Sequence, residues 1–262
     1  MRRYIVNLYR TQKQDPKNAF QENTLNFALF PEDDAASKSI IQGWQYEPHL
    51  FHFLEKNLIE TVGKTIIDVG ANNGNFAVDF SMLVRDTGKV YCFEPQRIVY
   101  YQLCTNIFIN GLSNVYCYHN AVGHEVGVVK IDTPDYFAEG PVNYGDVRVS
   151  TKGEDVESIP LDSMQFENLI LIKIDVQGYE PFVIDGAVET INKHRPYLFV
   201  EIEDHYLRDV GSSEEDLIAK IEALNYKVIR FQEGIPYYTQ SGKCIDWVGI
   251  PNEKNPENYI IP

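Results

Sequence analysis

Basic residues are scarce in this sequence. Its 262 residues include 23 lysines and arginines against 38 aspartates and glutamates, which gives a formal net charge of -15. The short basic runs are limited to Arg2-Arg3 and His194-Arg195. Because an acidic surface repels phosphate backbones at long range, we expect no nucleic-acid partner.

Cysteines and long apolar segments are also few. The four cysteines, Cys92, Cys104, Cys117 and Cys244, do not have the spacing of a zinc site or a redox pair. The apolar run after the basic N-terminus is too short for a signal peptide, and no segment approaches the ~18 apolar residues of a membrane helix. We therefore expect a soluble, cytoplasmic protein that does not bind a membrane.

Two common nucleotide-binding motifs are missing. Asn72 and Asn75 stand where a dinucleotide fingerprint Gly-x-Gly-x-x-Gly would have its later glycines. Leu58 stands where a P-loop ending in Gly63-Lys64-Thr65 would have its first glycine. These departures exclude both motifs at the two places where the sequence comes closest to them.

Apolar strand-like segments alternate with helical segments along most of the chain. This order predicts an α/β fold with a doubly wound, mostly parallel sheet. Residues 1–42 are predicted as an N-terminal arm and residues 43–262 as one domain, with an insertion at 123–164 that carries short antiparallel strands. The predicted strands of the sheet are Thr65–Gly70, Lys89–Pro95, Val115–Val122, Leu169–Asp175, Tyr197–Glu201, Tyr226–Phe231 and Cys244–Ile250.

Polar residues follow the first two predicted strands at the edge where such sheets bind ligands. The first strand leads into Asp68-Val-Gly-Ala-Asn-Asn-Gly74, and its glycines permit a sharp turn and close approach of a ligand. The helix that follows presents unpaired backbone N–H groups. Glu94 ends the second strand, where a carboxylate accepts hydrogen bonds from a ribose diol. Together these features predict a site for a ligand that contains adenosine.

Several sequence blocks resemble those of FkbM-type methyltransferases, in the same order, over residues 43 to 250. The resemblance implies the class I methyltransferase fold, with a seven-stranded sheet and an N-terminal helical arm, S-adenosylmethionine as methyl donor, and transfer to a hydroxyl oxygen. Gln177 departs from the pattern, which usually has glutamate there. The matching blocks are Tyr46-Glu47-Pro48, Asp68–Gly74, Phe93-Glu94-Pro95, Asn120–Gly123, Leu161-Asp162, Ile172–Glu180, Arg195-Pro196 and Glu201.

The same resemblance implies which residues bind the cofactor. Asp175 is included because the end of its strand borders the methionine part of the ligand as well as the methyl group. The predicted cofactor residues are Glu47, Asp68, Gly70, Ala71, Asn72, Gly74, Asn75, Glu94, Pro95, Asn120, Ala121 and Asp175.

Three residues are candidates for removing a proton from the acceptor. Asp175 and Glu201 end neighbouring strands, and His205 follows Glu201 closely. Each has a structural alternative: a turn cap for Asp175, an ion pair for Glu201 and an incidental loop position for His205. No metal is predicted. Asp175 and Glu201 are two oxygen ligands on adjacent strands that could share a divalent ion, but no further feature of the sequence supports such a site. His49 and His52 lack a third ligand.

The segment Asp175-Val-Gln-Gly differs from the motifs of enzymes that methylate amide or adenine nitrogen or cytosine carbon. We therefore expect O-methylation of a small hydroxylated compound, with a sugar as one candidate. N-methylation, protein methylation and an inactive cofactor-binding protein remain as alternatives. Aromatic residues in predicted loops are candidates for the acceptor pocket: Tyr136, Phe137, Tyr144, Tyr237 and Tyr238.

Overall fold

The computed structural model describes residues 7–15, 18–29, 35–42, 46–135, 144–231 and 245–262. In chain order, the strands are β1 (Asn7–Asp15), β2 (Asn18–Leu29), β3 (Thr65–Val69), β4 (Lys89–Phe93), β5 (Val115–Tyr118), β6 (Ala121–Val122), β7 (Gly127–Ile131), β8 (Val149–Ser150), β9 (Glu154–Ile159), β10 (Leu169–Ile174), β11 (Tyr197–Glu201), β12 (Tyr226–Arg230) and β13 (Asp246–Pro251). The α-helices are α1 (Ala35–Gln42), α2 (Pro48–Lys56), α3 (Asn75–Val84), α4 (Arg97–Ile109), α5 (Glu180–Asp185), α6 (Val188–His194), α7 (Asp204–Asp209) and α8 (Glu214–Glu222).

A seven-stranded sheet forms the centre of the molecule, in the order β12-β13-β11-β10-β3-β4-β5. The strands β11, β10, β3, β4 and β5 pair in parallel, whereas β13 is antiparallel to both of its neighbours. The chain order reverses between β3 and β10, which is where sheets of this type bind ligands. The predicted doubly wound, mostly parallel sheet is confirmed.

Both faces of the sheet are covered by apolar side chains. Successive side chains of a strand point to opposite faces of the sheet, so in β3 Ile66 packs into one buried cluster and Ile67 into the other. The first cluster includes residues of α2, α3 and α4, and the second includes residues of α5, α6 and α8. A strand covered on both faces reads as a continuous apolar run, as Leu169–Ile174 does.

The N-terminal arm is helical only in its last part. Residues 35–42 form α1, but β1 and β2 form an antiparallel hairpin, so the prediction of a helical arm is corrected for these strands. The hairpin is tied to α4, because Asn106 and Gln102 hydrogen-bond to the backbone of Ala28. Such contacts between distant segments give no periodic sequence signal. The boundary between residues 42 and 43 stays a prediction.

A second, four-stranded sheet in the order β6-β9-β7-β8 joins three strands of the insertion to β6, which lies just before residue 123. The short strands predicted near Gly127 and Val149 are present, and β9 was not predicted. The predicted strand Val115–Val122 is divided between the two sheets, since β5 ends at Tyr118 and β6 pairs with β9.

The chain from Glu180 to His194 forms two helices, α5 and α6, rather than one continuous helix. The break is at Gly186, where a Cβ atom would lie 1.9 Å from the backbone oxygen of Gly123. The insertion therefore packs directly against the backbone between these helices. Within the described part of the chain, no helix has both the length and the apolarity to span a bilayer.

Candidate active site

A cleft of about 620 Å³ opens at the carboxyl ends of β3, β4 and β10. One wall comes from the loop after β3 and from the residues that follow β4. The insertion supplies an apolar wall with Ile131, Val147 and Val149. Seven of the predicted cofactor residues line this cleft: Gly70, Asn72, Glu94, Pro95, Asn120, Ala121 and Asp175.

Glu94 is held in place by backbone N–H groups. Its Oε2 accepts a hydrogen bond from the Asn72 N–H at 2.9 Å, and its Oε1 accepts one from the Gln96 N–H at 2.8 Å. Burial raises the pKa of Glu94 to about 7, although these two hydrogen bonds act in the opposite direction. Each carboxylate oxygen keeps a second lone pair, so Glu94 can still accept hydrogen bonds from a ligand.

The two glycines of the loop after β3 are required by the packing of the protein itself. Gly70 has φ +82°, and a Cβ atom there would lie 1.8 Å from the backbone oxygen of Asp175. Gly74 has φ +85°, and its Cβ would lie 2.7 Å from Leu103 in α4. A side chain at either position would therefore meet a neighbouring element, and Gly70 also lines the cleft. Their effect on the cleft is to bring β10 and α4 close to the loop.

Five other predicted cofactor residues do not line the cleft. Asp68 is buried in β3, and Ala71, Gly74 and Asn75 are buried where the loop enters α3. Glu47 is buried beside the N-terminus of α2, near other carboxylates. These residues shape or support the site from behind its surface.

Lys173 forms ion pairs with two of the acidic side chains near the cleft. Its Nζ lies 3.1 Å from Oδ2 of Asp175 and 3.8 Å from Oδ1 of Asp68. Burial opposes the charge of Lys173, but Asp175 and Asp68 raise its pKa above the ordinary value. Burial raises the pKa of Asp68 to about 6. Lys173 therefore pairs with two buried or partly buried carboxylates.

Asp175 and Glu201 are joined through Gln177. The Nε2 group of Gln177 donates to Oδ1 of Asp175 at 2.8 Å and to Oε2 of Glu201 at 2.6 Å. Burial disfavours ionised Asp175, but Lys173 and the hydrogen bonds from Glu201 and Gln177 hold its pKa below the ordinary value. Burial and the neighbouring Asp175 raise the pKa of Glu201 well above the ordinary value. A proton shared by the pair is therefore favoured on Glu201 rather than on Asp175.

A second, more polar cleft of about 710 Å³ adjoins the first. Val149, Gln177 and Tyr179 line both clefts. The outer wall contains Tyr206, whose hydroxyl donates to Asp146 at 2.9 Å and whose ring lies 4.7 Å below the guanidinium of Arg148. Because the two clefts share a wall, two ligands bound in them would be neighbours.

Glu47, Glu201 and Asp246 bring three carboxylates together beside Gln177. Glu201 and Asp246 are direct partners across β11 and β13, and Glu47 immediately precedes α2. One carboxylate oxygen from each of the three lies within 4.8 Å of the others. Burial and the charge of Asp246 raise the pKa of Glu47 to about 8. Burial and the charge of Asp175 raise the pKa of Asp246 to about 7.

The histidines singled out from the sequence, His49, His52 and His205, do not line either of the two clefts. His205 lines neither of the two clefts, and its side chain is 63% exposed, with Nδ1 3.2 Å from Glu203. His49 is buried, with Nε2 2.9 Å from Oδ2 of Asp246, whereas His52 is exposed. Among the aromatic residues expected near the acceptor, Tyr144 is buried, and Tyr136, Phe137, Tyr237 and Tyr238 lie outside the described residues.

Sequence reasoning missed several residues of the site. Asp246 lies in a predicted strand, but one acidic residue at a strand start carries no specific signal. Gln96 lines the cofactor cleft and donates from Nε2 to the Tyr144 carbonyl at 2.8 Å. Tyr179 was visible only as part of the block from Ile172 to Glu180. The apolar wall from the insertion could not be located, because it depends on how the second sheet packs.

The strand order and the position of the cleft define a class I methyltransferase fold. The model of the methyltransferase FkbM domain matches residues 68–228, more than half of the chain. The protein therefore belongs to the FkbM methyltransferase family, whose methyl donor is S-adenosylmethionine. No curated protein gave a significant match.

The chain is similar to several solved structures. The FkbM methyltransferase from Methylobacillus flagellatus KT has a TM-score of 0.53 at 17% identity, over 82% of this chain and 52% of that chain. The chain thus spans about half the length of that protein. A Thermotoga maritima O-methyltransferase has a TM-score of 0.46 at 11% identity, over 89% of this chain and 76% of its own. A methyltransferase from Aquifex aeolicus has a TM-score of 0.42 at 16% identity, over 82% of this chain and 97% of that chain.

The described residues of the cofactor cleft fit S-adenosylmethionine. Glu94 presents a fixed carboxylate with free lone pairs, as a ribose diol requires. The valine and isoleucine side chains of the insertion give an apolar wall opposite, as an adenine ring requires. Asp175 at the other end is ionised, which suits the positive charges of the sulfonium and the amino group.

Proposed function

We propose that this protein is an S-adenosylmethionine-dependent O-methyltransferase that acts on a hydroxyl group of a small, polar acceptor. The observation that carries the proposal is the position of Asp175, which is ionised, lines the cofactor cleft and hydrogen-bonds to Gln177 on the wall shared with the second cleft. In the proposal, the cofactor occupies the first cleft and the acceptor occupies the second.

The cofactor is held by residues of the first cleft. Glu94 accepts hydrogen bonds from the ribose, and the loop of Gly70 to Asn72 borders the methionine part. When bound, S-adenosylmethionine supplies a methyl group that is already activated by its sulfonium charge. The protein then has to align the acceptor oxygen with that group and to exclude water, which accounts for much of the rate acceleration in such reactions.

Asp175 is the proposed proton acceptor. A hydroxyl group must lose its proton as its oxygen attacks the methyl carbon, and Asp175 is ionised at neutral pH. Glu201 and Gln177 hold Asp175 by hydrogen bonds, so we assign both to positioning rather than to direct proton transfer. We assign no role to His205, because it lines neither of the two clefts.

The polar second cleft supports an acceptor with several hydroxyl groups, such as a sugar. Its wall combines the rings of Tyr179 and Tyr206 with the acidic groups of Asp132 and Asp146. Aromatic rings stack against sugar faces, and carboxylates accept hydrogen bonds from hydroxyl groups. The proposal includes a cytoplasmic location, since Cys92, Cys104 and Cys117 are free thiols. It excludes nucleic acid as acceptor because the net charge is -15.

The test is a turnover assay with S-adenosylmethionine and a panel of sugars, nucleotide sugars and matched amino sugars. We expect methylated sugar hydroxyls, identified by mass spectrometry and NMR. The Asp175→Asn variant should lose about 10²- to 10⁴-fold in turnover and keep most of its affinity for S-adenosylhomocysteine. Asp185→Asn, which breaks a surface ion pair with Lys220, is the control.

Two results would contradict this assignment. Methyl transfer to amino groups alone would replace oxygen by nitrogen as the acceptor atom. Equal losses of affinity and turnover in Asp175→Asn would make Asp175 a cofactor anchor and remove its role as proton acceptor.

A further inference from the structure

The three carboxylates of Glu47, Glu201 and Asp246 face one another. Asp246 and Glu201 are opposite each other on antiparallel strands, where like charges are destabilising. Glu47 is 4% exposed and Asp246 is 2% exposed. Buried charges in proteins are paired or bind metal ions, because an isolated buried charge is costly.

Glu47 gives a second indication of a bound ligand, independent of the grouping of the three carboxylates. Its side chain makes no hydrogen bond or ion pair with any residue that the structure describes, although it is buried and aimed at Glu201 and Asp246. The nearest basic groups have other carboxylate partners. Lys173 contacts Asp68 and Asp175, and His49 contacts Asp246. The described residues therefore leave the carboxyl group of Glu47 without a direct partner.

The arrangement has the dimensions of an oxygen-ligand cation site. Hard divalent cations bind carboxylate oxygens at about 2.0–2.6 Å, which places two ligands on opposite sides of the ion about 4–5 Å apart. The three oxygens lie within 4.8 Å of one another, so one ion can reach all of them. His49 contacts Asp246 from outside the trio, as residues that orient a metal ligand do.

We propose that Glu47, Glu201 and Asp246 form a binding site for a hard divalent cation of the Mg²⁺, Mn²⁺ or Ca²⁺ class. The site adjoins the acceptor cleft through Gln177, which contacts Glu201 and lines both clefts. Because none of the three carboxylates lines either cleft, a cation here would act on the reaction through Gln177 and Asp175, by fixing their positions. This positioning role rests on the proposed function, whereas the binding of the cation does not.

The test uses the metal-free, full-length protein and Mn²⁺ as the probe, at pH 7.5. Electron paramagnetic resonance and calorimetry should show one bound Mn²⁺ that Mg²⁺ or Ca²⁺ displaces. Glu47→Gln and Asp246→Asn should each lower the Mn²⁺ affinity by more than about tenfold. Glu203→Gln is the matched control, since it removes a nearby acidic charge that influences Asp246 without removing a proposed ligand.

Each outcome decides the proposal. No Mn²⁺ binding at millimolar concentration overturns it and assigns the charge balance of the cluster to bound protons. An equal loss in Glu203→Gln also overturns it, because the attraction would then be diffuse. If a variant does not fold, the melting temperature of the wild type with and without Mn²⁺ decides. If the protein binds S-adenosylhomocysteine but does not bind Mn²⁺, only the cation site is contradicted. If it binds Mn²⁺ but does not bind S-adenosylhomocysteine, only the cofactor site is contradicted.

Discussion

The cofactor cleft and the acidic cluster lie along the same edge of the sheet, but their carboxylates are held differently. Glu94 has a backbone N–H partner on each of its oxygens. Glu47 has no such partner among the described residues, and it faces two other acids. A third arrangement is found at Asp68 and Asp175, which share the buried cation Lys173 as their partner.

The difference shows two ways to keep a buried carboxylate ready for a ligand. Backbone N–H groups fix Glu94 without using a charged side chain, so its free lone pairs remain available to neutral hydroxyl groups. In the acidic cluster, three carboxyl groups face one another and Glu47 has no direct partner among the described residues, so bound protons or a bound cation would limit their repulsion. The first arrangement suits a ribose, and the second suits an ion.

The largest effect on stability should come from removing the buried cation. Lys173→Met leaves Asp68 and Asp175 without their charged partner, which should cost about 3–5 kcal/mol of unfolding free energy. Urea unfolding at pH 7.5 measures it. Lys220→Met, which breaks the surface pair with Asp185, should cost about 0–1 kcal/mol. Similar costs in the two variants would mean that Lys173 does not balance the acids of the site.

A smaller effect should follow from changing the ribose carboxylate. Glu94→Gln replaces one acceptor oxygen by an NH₂ group, which should weaken binding of S-adenosylhomocysteine by about 10- to 150-fold, the equivalent of 1.5–3 kcal/mol. Calorimetry measures the affinity. The control is Glu180→Gln, because Oε1 of Glu180 also accepts from two backbone N–H groups but Glu180 does not line the cleft. An equal loss in both variants would assign Glu94 a structural role only.

The smallest effect concerns pH. The pKa of Glu94 is about 7, so between pH 8 and pH 6 its protonation should weaken S-adenosylhomocysteine binding by at most about tenfold. Glu94→Gln should bind with an affinity that varies less over this range. Unchanged wild-type affinity across these pH values would show that ionised Glu94 is not what the ligand needs.

The same raised pKa has the opposite sign for the stability of the unliganded protein. The unfolded chain releases the proton of Glu94 near pH 4.5, whereas the folded protein retains it up to about pH 7. The contribution of Glu94 to stability is therefore full below pH 4.5 and is lost as the pH rises through 7. Urea unfolding of the wild type and Glu94→Gln across this range checks that sign.

Much of the sheet could be predicted because its signals are local. The run Leu169–Ile174 is apolar throughout, and that pattern arises wherever both faces of a strand are covered. Glu94 lies in the cleft because it directly follows a strand whose carboxyl end meets that of β3, and its role toward the cofactor stays a prediction. The β1–β2 hairpin was missed because its contacts with Asn106 and Gln102 are long-range.

The sequence by itself determined the alternation of strands and helices, the turn after β3 and the family blocks, since each depends on residues close together in the chain. Only the tertiary structure decided that Glu47, Glu201 and Asp246 meet, that Gln177 links Asp175 to Glu201, and that a side chain at Gly70 would meet the backbone of Asp175. These contacts join segments that are far apart in sequence. Their geometry follows from strand register and helix packing, which no local pattern of residue types specifies.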